Sequence, residues 1–160
     1  VKAAGGGGAT FGSALATTSG STFSFTGIPA GTKRIDIVMF RLSTSANVSV
    51  DLQIGDSGGL EGSGYTSQLA STQAGSENLF SQTNAFLFTD ANNTYTHSGV
   101  MCLRLTDASN NEWVCFGLED PQGLTAQNHF AGSKALSGEL TQLQLLNFTG
   151  DAGRVNIMYD

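Results

Sequence analysis

A serine lies between glycines in the segment Ile54–Gly59, which reads I-G-D-S-G-G. Ser57 has the residue type of a nucleophile, but a serine hydroxyl reacts poorly at neutral pH unless a histidine removes its proton and a carboxylate orients that histidine. His97 and His129 are the only histidines of the chain, and both follow Ser57. The question that the segment raises is therefore whether either histidine serves this serine.

The same segment resembles the nucleophile segment of chymotrypsin-like serine proteases. In that family the histidine precedes the serine in the chain, and the fold needs two β-barrels, which 160 residues do not supply. Serine hydrolases on other folds place the serine at a strand-to-helix elbow, and no helix is predicted after Ser57. We therefore predict a turn at Gly58 and Gly59 and no protease chemistry.

Other catalytic or metal-binding patterns are weak. The acidic residues are scattered and only Glu119 and Asp120 adjoin, and neighbours in an extended segment point to opposite sides, so no glycosidase pair is predicted. Asp90–Asn93 and Asp107–Asn110 could offer oxygen atoms to calcium, but neither has the EF-hand pattern and both are typical of turns. The two histidines lack a zinc-site spacing. We predict no catalytic residue, no metal site and no cofactor.

Composition excludes several classes of partner. Charged residues make up 12% of the chain against the usual share of about 25%. With 13 acidic and 7 basic residues the net charge is −6, which argues against a nucleic-acid partner and against an anionic membrane surface. No apolar run approaches the roughly 20 residues of a transmembrane helix, so no membrane insertion is expected. Because the chain begins with Val1 rather than Met, we expect a fragment or a processed form.

The pattern of apolar residues predicts strands throughout the chain. Residues 1–20 contain four consecutive glycines and are predicted to form a linker or neck. Residues 21–160 are predicted to form one domain. Short alternating segments separated by turn residues predict an all-β fold, an antiparallel β-sandwich of jelly-roll-like type. The predicted strands are 21–26, 33–43, 47–55, 99–106, 111–118, 139–148 and 154–159, together with an apolar patch at 86–88.

Three local expectations accompany this fold. Ser76–Thr83 could form one or two helical turns, and Glu119–Gly132 is predicted to be irregular. A hairpin with a four-residue loop at Asp107–Asn110 places Cys102 opposite Cys115, where a cross-strand disulfide is conceivable and two buried thiols are the favoured alternative. The strand 33–43 is apolar on both faces at its centre, which indicates a central strand, a bulge or a subunit contact.

Three segments, in order, resemble the C-terminal domain of bacteriophage tail-fibre proteins. Phe25–Ile37 reads F-T-G-I-P-A-G-T-K-R-I-D-I and is similar to the "I-P-x-x-x-K-R-I" opening of these domains. Leu52–Ser67 is similar to their "Q-L-G-x-S-G-G-x-x-x-S-G-Y-x-S" segment, and Gly153–Asp160 to their closing "G-x-x-N-I-x-Y-E". The chain departs from these patterns at Asp56 and at the closing Asp160, and residues 119–133 match none of them.

The resemblance implies a trimeric all-β tip of a phage tail fibre in the virion, assembled in the host bacterial cytoplasm. It implies a non-enzymatic structural and adhesion module that binds a host cell-surface glycan or outer-membrane protein and contacts other virion tail proteins. It also implies that Asp160 is the natural C-terminus and that a fibrous stalk precedes the chain. A carbohydrate-active tail-spike domain, with glycosidase or lyase activity, and another virion appendage such as a capsid fibre are the alternatives.

Two loops have the composition of a receptor-binding surface. Surface loops carry binding residues more often than the scaffold does, and aromatic and amide side chains suit sugars. The loops are 90–98 and 120–130, whereas Trp113 is expected in the core. The candidate receptor-binding residues are Asn92, Asn93, Tyr95, His97, Gln127, Asn128 and His129.

Overall fold

The structure, a computed structural model, describes residues 8–73 and 75–160 of the chain. This part of the chain forms fourteen strands and no helix, so it holds no helix that could cross a membrane. The strands are β1 (Thr10–Phe11), β2 (Leu15–Ala16), β3 (Phe23–Thr26), β4 (Arg34–Thr44), β5 (Val48–Asp56), β6 (Gly59–Leu60), β7 (Tyr65–Gln73), β8 (Ser76–Gln82), β9 (Phe86–Ala91), β10 (Thr96–Asp107), β11 (Glu112–Gln122), β12 (Ala126–Ala135), β13 (Gln142–Leu146) and β14 (Gly150–Tyr159).

Two antiparallel sheets pack against each other and confirm the predicted all-β sandwich. The large sheet has the order β1-β14-β4-β10-β11-β12-β7-β8, and β2 also pairs with β14. The small sheet has the order β3-β13-β5-β6, and β9 also pairs with β5. Apolar side chains from both sheets fill the space between them in one core. Each sheet therefore has an inner face toward the other and an outer face away from it.

Alternation along the strands explains which side chains enter the core. In β3 the predicted inward pair Phe23 and Phe25 is buried, and in β4 Ile35 and Ile37 are buried. Successive side chains of a strand point to opposite faces, so one alternate set packs between the sheets. Val38 lies between the inward residues Ile37 and Met39 of β4 and is 44% exposed on the outer face. The apolar residues of this strand that alternate with the inward ones are therefore not buried within the chain.

Two segments differ from the sequence-based expectation. Residues 76–82 form strand β8 rather than helical turns, paired with β7 from Ser67 opposite Gln82 to Gln73 opposite Ser76. Residues 119–132 are not irregular, because β11 continues to Gln122 and β12 begins at Ala126. In both cases the backbone hydrogen bonds come from a neighbouring strand, and the side chains alone carry little alternation.

The two cysteines are free and lie on opposite faces of the large sheet. The ladder between β10 and β11 pairs Leu103, not Cys102, with Cys115. The hairpin loop is 108–111 rather than the predicted 107–110, which moves the register by two residues, and the shift between Leu105 and Asp107 moves it back by one. Thr106 of β10 has no partner in β11, and one such extra residue in a strand makes a β-bulge. Because a one-residue shift reverses the face of a side chain, Cys102 does not lie opposite Cys115 and the two form no disulfide. The favoured expectation of two buried thiols holds for Cys115 but not for Cys102, which is half-buried.

The glycine-rich start and the Ser57 turn complete the fold. Residues 1–7 of the predicted linker lie outside the described residues, and β1 and β2 of the remainder pair with β14. Ser57 is an exposed turn residue, where the Asp56 carboxylate accepts a 2.7 Å hydrogen bond from the amide of Gly58. Only Gly59 of the glycine pair needs a glycine conformation, with a φ of 131°.

Candidate functional site

The structure divides the candidate receptor-binding residues among three places. One group lies on the β9–β10 loop at one end of the sandwich, one lies on the outer face of β12, and one is buried between the sheets. The groups are Asn92, Asn93 and Tyr95 on the loop, Gln127 and His129 on the outer face, and His97 and Asn128 in the interior.

The β9–β10 loop is held by hydrogen bonds of its own residues and of a neighbouring loop. The side-chain oxygen of Asn92 accepts a hydrogen bond of 2.9 Å from the amide of Thr94, and the Asn92 carbonyl accepts one of 3.1 Å from the amide of Tyr95. The amide of Asn93 donates to the side-chain oxygen of Asn47 at 3.0 Å. These bonds fix the loop backbone while the side chain of Asn93 faces solvent.

The second predicted loop meets the first at this end of the sandwich. Gly123, in the β11–β12 turn, has a φ of 97°, and a β-carbon built there would lie 3.4 Å from the ring of Tyr95. Thr96 donates a 3.0 Å hydrogen bond to the side chain of Gln122, which ties the start of β10 to the end of β11. We call the surface formed by loops 45–47, 92–95 and 123–125 the loop end.

A buried polar cluster lies directly beneath the loop end. Nδ1 of His97 lies 2.7 Å from Oε1 of Glu119, and Thr89 donates a 3.0 Å hydrogen bond to Oε2 of the same carboxylate. The side-chain amide of Asn128 also donates to Oε2 of Glu119. Thr89 comes from the small sheet and the other three from β10, β11 and β12, so the cluster joins the two sheets.

The cluster favours a positively charged His97. Burial by itself lowers the pKa of His97, but the hydrogen bond and negative charge of Glu119 outweigh burial, and the Asn92 carbonyl and Asp90 add to the effect, so the pKa lies above its ordinary value. Nε2 of His97 is 3.3 Å from the carbonyl oxygen of Asn92. An imidazolium, protonated at both nitrogens, can donate to both acceptors, so His97 connects the loop backbone to the core.

The arrangement does not assemble a serine hydrolase site. His97 contacts Thr89, and Thr89 pairs with Val50 of β5. Ser57 follows Val50 by seven residues, so at the rise of a β-strand it lies about 23 Å from Val50. The side chains of His97 and Glu119 are 1% and 0% exposed, so neither reaches solvent. Among residues 8–73 and 75–160, no group of three or more His, Cys, Asp or Glu side chains is placed to hold a metal ion.

Sequence reasoning missed Glu119 and Thr89 as members of this cluster. Trp113 is buried as expected, and alternation from Trp113 through Cys115 and Gly117 places Glu119 on the same inward face. A buried carboxylate needs a partner, so extending the alternation past Leu118 is the signal that could have identified the cluster.

Comparisons of this chain with protein-family models, with curated proteins and with solved structures find no match.

Proposed function

We propose that the protein is a virion structural and adhesion module, the distal domain of a phage tail fibre, which binds a receptor on the host bacterial surface. The observation that carries the proposal is the loop end, where the loop with Asn92, Asn93 and Tyr95 lies against the β11–β12 turn on a rigid sandwich. The resemblance of three sequence segments to tail-fibre domains supports the same function.

The loop end has the chemistry that carbohydrate recognition uses. Tyr95 is half-buried and offers part of an aromatic ring, and Asn92 and Asn93 are exposed amides beside it. An aromatic face packs against the apolar face of a sugar, while amides donate to and accept from its hydroxyls. Since the loop backbone is already fixed by Asn47 and His97, little conformational entropy is lost when a ligand binds.

The remaining parts of the proposal concern assembly. A homotrimer attached to other virion tail proteins would present three copies of the loop end, and several weak sites together bind far more strongly than one. The β-sandwich supports such a role, because one core of apolar side chains joins the strands that carry the loops. The receptor would be a host surface glycan or an outer-membrane protein.

Adhesion of the purified domain to bacterial cells tests this function. Tyr95→Ala and Asn93→Ala are each expected to reduce cell binding at least tenfold while leaving the circular dichroism spectrum unchanged. Ser57→Ala is the matched control, since Ser57 is exposed at the opposite end of β5 and should bind as wild type. Unchanged binding by both loop variants would refute the site.

A second measurement separates adhesion from catalysis. Host capsule or lipopolysaccharide is incubated with the domain, and the length of the glycan chains is followed over hours. An adhesion module leaves the chains intact. Shortened chains would replace the proposed function with that of a carbohydrate-active tail-spike domain.

A further inference from the structure

The outer face of the large sheet carries most of the exposed large apolar side chains. Within the part of the chain that the structure describes, seven large hydrophobic residues are exposed, and the pairing register places six of them on this outer face. An isolated exposed leucine needs no explanation, but a contiguous apolar surface indicates an interaction site. The six are Phe11 (74%), Val38 (44%), Phe40 (45%), Leu79 (74%), Phe116 (48%) and Leu118 (57%).

The strand register makes these side chains neighbours. Residues that are paired across adjacent strands share a face, with β-carbons about 5 Å apart. Val38 pairs with Val100, Val100 pairs with Leu118, and Leu118 pairs with His129. The same row continues in both directions across the sheet, without a charged residue: Asn156, Val38, Val100, Leu118, His129, Ala70 and Leu79. We call this row the apolar row.

Rows on either side of the apolar row are also partly apolar. Phe116 pairs with Cys102 and with Ala131, which extends the apolar area toward one end of the strands. Toward the other end, the guanidinium of Arg154 lies 4.6 Å from the ring centre of Phe40. The outer face therefore has an apolar centre several strands wide.

Charged side chains flank the apolar row and do not lie in it, and Asp36 shares the neighbouring row with Cys102 and Phe116. Asp36 is bridged by Arg34 at 2.7 Å and by Arg104 at 2.9 Å at one border. Arg154 and Asp120 lie at the other border, on β14 and β11. An uncharged centre with a charged border is the usual anatomy of a protein–protein interface.

We propose that this outer face packs against a second copy of the same chain. Strands β14, β4, β10, β11 and β12 are 10 to 12 residues long. Five strands of this length make a face of about 24 by 33 Å, or roughly 800 Å², which matches the share that one partner contributes to a stable interface. The face thus has the size as well as the composition of a subunit contact.

The placement of charge suits a copy of this chain as the occupant. The chain as a whole has a net charge of −6, so most contacts between copies are repulsive. The apolar row holds no Asp, Glu, Lys or Arg, and both signs of charge lie on the rest of this face: Arg34, Arg104 and Arg154 together with Asp36, Glu77, Asp107, Glu112 and Asp120. Copies that meet on the apolar row therefore bring no like charges together at the centre of the contact. The contact deepens the proposed function, since it names the surface through which a fibre domain would assemble.

Light scattering coupled to size exclusion, from 5 to 200 μM protein, tests the contact. The wild type is expected at a multiple of the 16.6 kDa chain mass, and either a dimer or a trimer supports the proposal. Val38→Arg and Leu118→Arg place a charge in the apolar row at exposed positions and are expected to weaken association at least tenfold. Ser57→Arg, in the β5–β6 turn of the small sheet, is the control with the same added charge and should associate as wild type.

Two results would overturn the proposal: a wild-type monomer at 200 μM, or an oligomer whose mass neither arginine variant changes. Maleimide labelling of Cys102, which lies half-buried on the same face, gives an independent readout without substitution. Its rate is expected to fall as the protein concentration rises, and a constant rate would contradict the contact. Cell adhesion is measured separately, so a monomer that still adheres refutes only this contact, and an oligomer that does not adhere refutes only the proposed function.

Discussion

Replacing His97 with alanine is expected to destabilise the fold, because it leaves the Glu119 carboxylate buried without a positive partner. The two side chains are 1% and 0% exposed, so solvent screens their interaction little. Removing one member of a buried ion pair typically costs about 3 to 5 kcal/mol. The loss includes the hydrogen bonds of His97 to Glu119 and to the Asn92 carbonyl, which are worth about 1 kcal/mol or more each.

The pair also predicts a pH dependence of wild-type stability. The charged groups that face His97 are Glu119 on β11 and Asp90 on β9, both acidic, and they raise the pKa of His97 above its unfolded value despite burial. A raised folded pKa contributes stability that is complete below the unfolded pKa of about 6.5 and is lost as the pH rises through the folded pKa. The contribution of this pair to the free energy of unfolding should therefore decline as the pH rises above about 6.5.

Urea unfolding at pH 5.5, 7.0 and 8.5 measures both effects. With a slope of about 2 kcal/mol per molar urea, the midpoint of His97→Ala should fall by about 2 M at pH 5.5. Ser57→Ala is the control, because Ser57 is exposed in the turn after β5 and surface substitutions change stability by about 0.5 kcal/mol or less. A loss below about 1 kcal/mol in His97→Ala, or an unchanged pH slope in that variant, would mean that the His97–Glu119 pair does not stabilise the fold.

Three further outcomes can be measured on the same protein. Gly59→Val should cost more stability than Gly58→Val, because only Gly59 has a φ in the left-handed region; equal midpoints in urea would contradict the turn geometry. Tyr65→Phe should cost about 1 to 3 kcal/mol, since the hydroxyl bonds the backbone of β5, and the 295 nm titration of the wild type should show one phenol with a pKa of about 12. Thiol labelling of the native protein should modify Cys102 and spare Cys115, because burial raises the pKa of the Cys115 thiol to about 12. Equal labelling rates would argue against the register that pairs Cys115 with Leu103.

Strands whose inward residues are large and apolar could be predicted from the sequence. Phe23 and Phe25 alternate with small polar residues, and both are buried where the alternation places them. The same holds for β5, where Val50, Leu52 and Ile54 are fully buried. In these segments the local pattern and the tertiary packing require the same conformation, so sequence alone is sufficient.

Strand β12 could not be predicted, because its inward positions are not uniformly apolar. They include Asn128, Phe130 and Gly132, so the apolar alternation is interrupted on both sides of Phe130. A β-carbon at Gly132 would lie 2.2 Å from the carbonyl oxygen of Thr66, which requires glycine where the pattern would need a large side chain. Polar residues at an inward position are stable there only because other strands supply Thr89 and Glu119.

The candidate site was predicted in composition but not in arrangement. Sequence identified the loop that holds Asn92, Asn93 and Tyr95, and the structure places these residues at the loop end. His97 has the same polar character but is buried, because β10 begins at Thr96 and alternation turns the next side chain inward. Its partner Glu119 is 22 residues away and is brought near only by the pairing of β10 with β11.

Binding of the fluorescently labelled domain to a broad panel of bacterial strains tests adhesion at the loop end most directly. We expect saturable binding to at least one strain, competed by unlabelled wild type and by Ser57→Ala but not by Tyr95→Ala. Absence of saturable binding to every strain, or full competition by folded Tyr95→Ala, would contradict it.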